Sequence, residues 1–214
     1  MSCGQNDKLH LILDAAYELF GANGFYETKM SDIAEKAGIA KGTIYIYFKS
    51  KEELFTAMSV RDFEQYLREL DYGLNQAGSL EDGLRFAADH HLRYYFRRRQ
   101  YTNLFFKSPN KDPDMMQALC KFMHRYIEAI AGLMRRFELP EPALHAKSYT
   151  GMLDMMKMDM LFAPEFTEQD MEQRIRFVAD LFIHGCPAAG TASSDGEAGN
   201  GFAREETAPN GQKR

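Results

Sequence analysis

The chain has 214 residues, of which 45% are hydrophobic, 13% aromatic and 27% charged, an ordinary globular composition with enough apolar material for a real core. That length allows one helical domain or a small module joined to a larger one, and it excludes long repeat arrays. A net charge of -5 gives no global support for nucleic-acid binding, so the local distribution of charge has to decide. The longest apolar runs, such as 44–48, fall far below the ~18 residues of a spanning helix. The first residues, MSCGQNDK, lack a basic region before an apolar stretch, so the cytoplasm is the expected compartment. Cys3, Cys120 and Cys186 are widely spaced and odd in number, which argues against a disulfide framework or a zinc cluster and places Cys120 in the core.

Apolar residues recur at i, i+3, i+4 almost throughout, so the expected class is all-α. Leu9, Ile12, Leu13, Ala16, Leu19 and Phe20 form one stripe that stops at Gly21-Ala-Asn-Gly24, giving a first helix over about 8–21. Thr28 is the expected N-cap of a short second helix carrying Met30, Ile33, Ala34 and Ala37, which closes at Gly38. A third short helix holds Ile44 and Phe48 and ends at Lys49-Ser50. Ser50 and Glu53 then form a capping box that opens a long helix over about 51–76.

Ser79 opens the next helix, which carries His91, Tyr94 and Tyr95 and ends in Arg97-Arg98-Arg99. Cations suit the dipole at such a helix end, and the same run would alternatively serve an anionic ligand group. A short helix over about 100–108 follows, and Asp112-Pro113 starts a long one running to Phe137. After the break at Pro140-Glu-Pro142 come helices over about 142–162 and 168–184, the latter capped by Thr167. The total is about nine. Residues 187–214 hold one large apolar residue, Phe202, and are expected to be disordered.

Ala34, Gly38 and Ile44 have the spacing of a helix-turn-helix: a small residue at the crossing, a glycine in the tight turn, and an apolar plug on the second helix. Lys36 to Lys51 holds four lysines and no Asp or Glu. With Ile44 and Phe48 inward, Lys41, Thr43, Tyr45 and Tyr47 are left for a partner, and Gly42 lets a backbone approach closely. Thr28 and Lys51 are placed to bind phosphates on either side of the groove.

The stretch from Ile12 to Phe55 closely resembles the N-terminal domain of the TetR family of transcriptional repressors. Residues that carry the resemblance include Ile12-Leu-Asp-Ala-Ala16, Gly24-Phe25, Asp32-Ile-Ala34, Ala37-Gly38-Ile39, Lys41-Gly-Thr-Ile-Tyr45, Tyr47-Phe48 and Lys51-Glu-Glu-Leu-Phe55. Beyond Ser50 the helices lengthen, which sets a domain boundary there, and the resemblance makes 1–50 a helix-turn-helix DNA-binding domain and 51–186 a helical effector-binding and dimerisation domain. The resemblance further implies a homodimer on a palindromic double-stranded DNA operator, released by a small-molecule effector. The implied DNA-contacting positions are Thr28, Lys41, Gly42, Thr43, Tyr45, Tyr47 and Lys51. Lys29 stands where a second threonine is common and adds a phosphate charge, while Ala40 stands where a hydroxyl residue usually precedes the recognition helix.

Beyond the head the resemblance is one of architecture. Candidate lining residues for an apolar, adaptable cavity suited to a hydrophobic or aromatic effector are His91, Tyr94, Tyr95, Phe105, Phe106, Met123, Tyr126, Met152, Met155 and Met156, each also a candidate core residue. Adjacent His90 and His91 face different ways on a helix, so no metal site is expected, and no cofactor. Leu144, Tyr149, Met152, Leu153, Met156, Met160, Ile175, Val178, Leu181 and Phe182 divide between the core and a dimer interface. The absence of HExxH, P-loop and GxSxG patterns argues against an enzyme. The remaining alternative is a helical adaptor that keeps the head as a dimerisation module without reading DNA.

Overall fold

The computed structural model describes residues 3–99, 101–102, 112–163 and 165–185. Among the described residues there are eight helices and no strand. They are α1 (Cys3–Asn23), α2 (Met30–Lys36), α3 (Lys41–Tyr47), α4 (Lys51–Gln76), α5 (Leu80–Arg97), α6 (Pro113–Arg136), α7 (Pro142–Phe162) and α8 (Glu168–His184). The short helix expected over 100–108 and the tail over 187–214 lie mostly or wholly outside the described residues, though Tyr101 and Thr102 are helical.

Local capping fixes most of the starts. Ser50, Ser79, Asp112 and Thr167 each accept a backbone N–H of the first turn of α4, α5, α6 and α8. A cap of this kind stabilises a helix by about 1 kcal/mol. At α4 the Glu53 carboxylate reaches the Lys49 N–H at 2.6 Å, one residue earlier than a regular capping box.

Three expectations fail here. The first helix begins at Cys3 rather than near residue 8, and Thr28 does not cap α2. Lys29 holds the N-cap position without a side-chain bond, and Thr28 is buried, its hydroxyl donating to the carbonyls of Gly24 at 2.7 Å and Leu19 at 3.2 Å. The hydroxyl satisfies the end of α1 instead of the start of α2, because the loop folds it inward. Cys120 also departs from expectation: it is exposed on α6, two residues before buried Phe122 and therefore turned away from the stripe of Phe122, Tyr126 and Ile130.

Burial divides into two clusters. The first gathers Ile12, Ala16 and Phe20 of α1, Ile33 and Ala34 of α2, Ile44 of α3, and Leu54, Phe55 and Met58 of α4, with Tyr101 and Met115 closing it from the body side. The second starts at Tyr66 on the same α4 and takes in α5, α6, α7 and α8. Helix α5 is central, packing against α4, α6, α7 and α8. Its Phe86 ring lies on Gly73 of α4 so closely that a Cβ there would stand 1.9 Å from the ring, so glycine permits the crossing.

Candidate nucleic-acid interface and effector cavity

The turn between α2 and α3 follows from its residues. Ala37 ends α2, Gly38 takes φ 68°, its N–H bonds Glu35 O at 3.0 Å, and the Ile39 N–H reaches Ala34 O at 3.0 Å. This is the Schellman arrangement, which needs a left-handed residue that glycine adopts without strain. Ile44, fully buried, then pins α3 across α2.

With Ile44 inward, α3 turns Lys41, Gly42, Tyr45 and Ile46 outward. Tyr45 is 47% and Ile46 79% exposed, an unusual outlay of apolar surface on a seven-residue helix. The side chains of Lys29, Lys41 and Lys49 are exposed and have no ion-pair partner among the described residues. Thr43 is half-buried, and Tyr47 packs partly on the head core. Lys51 has a fixed place: its ammonium bonds Thr28 O at 3.1 Å and Tyr26 O at 3.2 Å and lies 4.6 Å over the Phe25 ring. Two of its three donors are used, so one remains for a phosphate. Thr28, being buried with its hydroxyl committed, offers a phosphate no side-chain donor. Ile46 escaped the sequence reading. Two positions after a buried residue on a 3.6-residue helix lies the far face, and that spacing was the available signal.

The body holds a cavity of about 290 Å³ among α4, α5, α6 and α7. Tyr94, Tyr95, Met123 and Met155 line it together with Arg98 of the arginine run, joined by residues that no sequence pattern singles out: Asp62, Tyr66, Phe122, Asp154 and Lys157. Met155 is 66% exposed and stands at its edge. His91 and Tyr126 are buried beside the cavity rather than in its wall, and Met152 and Met156 pack against the core. Phe105 and Phe106 lie outside the described residues.

The polar groups around this cavity come in two sets. On one side the Tyr94 hydroxyl donates to Asp62 Oδ1 at 2.7 Å, and Arg98 lies 3.4 Å from the same oxygen with its guanidinium 3.8 Å over the Tyr94 ring. Burial raises the Asp62 carboxyl above its usual range, despite these partners. On the other side Asp154 pairs with Lys157. Burial opposes its ionisation, but the nearby His91 ring and Lys157 ammonium outweigh that and hold it at about 2.

Behind this wall the Tyr66 and Tyr126 hydroxyls meet His91 Nδ1 at 2.8 and 3.0 Å. His91 Nε2 faces Asp154 Oδ1 at 3.5 Å, too far for a hydrogen bond of ordinary strength, and finds no closer partner. Burial depresses the imidazole to about 4, so His91 is neutral at pH 7. A proton on Nε2, toward Asp154, leaves the one lone pair of Nδ1 to accept from a phenol. Among the described residues no three His, Cys, Asp or Glu side chains gather as metal ligands, and no helix is long and apolar enough to cross a membrane.

The comparisons with known proteins agree with this geometry. Residues 12–58 match the family model for bacterial regulatory proteins of the tetR family. Over 81 residues the chain is 31% identical to a fatty acid metabolism regulator protein of Bacillus subtilis, covering 38% of this chain and 42% of that one. Over 56 residues it is 43% identical to the transcriptional regulator UidR of Escherichia coli, covering 26% and 29%. The chain thus matches less than half the length of these curated relatives. Solved structures extend the likeness in fold to the body. A TetR-family regulator from Mesorhizobium loti aligns over 85% of this chain and 97% of that one, with TM-score 0.75 and 21% identity. The regulator FadR from Bacillus subtilis, solved with stearoyl-CoA, aligns over 83% and 99%, with TM-score 0.68 and 21% identity. Residues 12–58 are thus a helix-turn-helix head of the tetR family, and the described body shares the all-helical fold of a solved TetR-family regulator.

Proposed function

We propose that the protein is a ligand-responsive transcriptional regulator, a repressor that binds a palindromic operator as a homodimer and is released by a small effector seated in the body. The observation that carries this reading is the outward face of α3. It presents Lys41 without an ion-pair partner among the described residues, beside Gly42, Tyr45 and exposed Ile46, at the free end of a helix-turn-helix. An ammonium there bonds guanine acceptors or phosphate, a tyrosine hydroxyl bonds phosphate, and Ile46 suits a thymine methyl. Lys29, Thr43, Tyr47 and Lys51 flank this face and fix its register on the duplex.

Coupling runs through α4, whose first half belongs to the head cluster and whose second half belongs to the body cluster. An effector in the α4–α7 cavity that favours a different tilt of α4 changes the separation of two recognition helices, which must match major grooves about 34 Å apart. Reciprocity then requires operator DNA to weaken effector binding by the same factor.

The test is binding of the purified full chain to DNA from around its own gene across a salt series. Saturable binding to one pseudo-palindromic fragment is expected. The Lys41→Ala/Tyr45→Ala double variant should lose most affinity and show a shallower salt slope, by about one for each phosphate that is no longer neutralised. Equal, weak binding to all fragments, unchanged by the double variant, refutes the reading and favours an adaptor.

A further inference from the structure

A second space adjoins the aromatic cavity. It is a cleft of about 500 Å³ between α1 of the head and the α4 and α5 helices of the body, and four arginines line it: Arg61, Arg68, Arg97 and Arg98. The acids in its wall are Asp14 and Asp62, each already engaged. Asp14 of α1 pairs with Arg61 at 2.7 Å, and Asp62 lies 3.4 Å from Arg98. Arg68 and Arg97 are exposed and have no ion-pair or hydrogen-bond partner among the described residues. The cleft therefore carries an uncompensated positive charge where head meets body.

Asp62 and Arg98 stand in the walls of both spaces, so the two meet at this pair. On one side lie tyrosines, phenylalanine and methionines, on the other free guanidinium groups. A cationic ligand finds no vacant carboxylate in either, since Asp62 is held by Tyr94 and Arg98 and Asp154 by Lys157. An anion finds two unpaired arginines.

We propose that the two spaces take one ligand, an amphiphilic anion whose phosphate-type head sits against Arg68 and Arg97 and whose apolar body fills the aromatic cavity. At about 30 Å³ per heavy atom, as for water, the 290 Å³ cavity holds a body of about ten heavy atoms. This rests on the effector reading above and gives the effector its chemical class. It also supplies a link to the reading head: an anion within reach of Arg61 competes with Asp14, and that pair ties α1 to α4.

Calorimetry on the full chain compares n-octyl phosphate, n-octanol, octyltrimethylammonium and inorganic phosphate, with operator binding followed separately. Octyl phosphate is expected to bind at least about tenfold more tightly than octanol or octyltrimethylammonium, as charge-assisted bonds to arginine imply. Inorganic phosphate should compete with it weakly. The Arg68→Gln/Arg97→Gln variant should lose the advantage of the anionic head and keep its affinity for octanol. Equal affinities for the three octyl probes overturn the proposal, as does an advantage that survives in the variant. Inorganic phosphate binding as tightly as octyl phosphate reduces the cleft to a simple anion site and overturns the two-space ligand. If no probe binds while operator binding persists, the amphiphile site falls and the DNA reader stands. Loss of operator binding in the variant with the octyl phosphate preference intact assigns the arginines to DNA and overturns the proposal too.

Discussion

His91 is the side chain on which the interior of the body turns. Its Nδ1 gathers two phenol hydroxyls and its Nε2 faces Asp154 across 3.5 Å; the ring and both phenols are fully buried, while Asp154 is only partly so. An imidazole with an ordinary value near 6.5 in the unfolded chain and about 4 in the folded one takes up its proton more readily when unfolded. Its contribution to stability is therefore complete above pH 6.5 and is lost as pH falls from there through 4. The slope approaches 1.4 kcal/mol per pH unit in that window, so about 2 kcal/mol is lost by pH 5. His90, also lowered by burial, adds in the same direction, whereas Asp62, raised by burial, acts oppositely. Denaturant midpoints at pH 7 and pH 5 for the parent and His91→Gln isolate the effect, because the other groups cancel in the difference. The variant should show a clearly smaller drop; an equal drop assigns the acid sensitivity elsewhere.

Among the elements, α3 is the one least able to stand alone. Seven residues without a side-chain N-cap make no stable helix in water, so its shape depends on Ile44 and on the turn at Gly38. Ile44→Ala removes a fully buried side chain and should cost about 2–5 kcal/mol. Since the head and body clusters meet along α4 between Met58 and Tyr66, we expect that cost to fall first on the head. Hydrogen exchange should show amides of α1, α2 and α3 losing protection while α5 and α6 keep theirs; uniform loss means one cooperative unit. The longer helices were legible from local chemistry. Ser79, Asp112-Pro113 and Thr167 mark starts because a cap is a bond within four residues, and the α4 bounds of 51–76 follow for the same reason. Thr28 misleads because its hydroxyl turns back to Gly24 O at 2.7 Å and Leu19 O at 3.2 Å as the loop buries it, and the spacing of residues does not say which way a loop hydroxyl turns.

For the whole molecule, the outstanding feature is the apolar face left on α7 and α8. Leu144, Met155 and Phe162 lie along one side of α7 and are 58%, 66% and 70% exposed, with Phe177 of α8 at 54%. Tyr149, Leu153, Met160, Ile175 and Val178 instead belong to the core of the single chain. A second copy packed through this face would bury the first group and build a four-helix bundle. Phe177→Asp should therefore convert a dimer to a monomer in sedimentation experiments and weaken operator binding, because each half-site is then bound alone. A parent protein that sediments as a monomer removes this interface from consideration.

The sequence by itself determined the all-helical class, most helix bounds and the helix-turn-helix with its family resemblance. Those features rest on period, caps and a glycine turn, all of which act within a few residues. Tertiary structure decided which side of each helix counts. It sent His91 and Tyr126 into the core beside the cavity and left Tyr94, Tyr95, Met123 and Met155 on its wall. It brought Asp62 of α4 to Arg98 at the end of α5, and Asp154 of α7 to His91 of α5. It turned Cys120 to solvent and Ile46 outward. A helical stripe names the residues that are apolar, but the angle at which neighbouring helices cross selects those that touch, and that angle is set by partners scores of residues away.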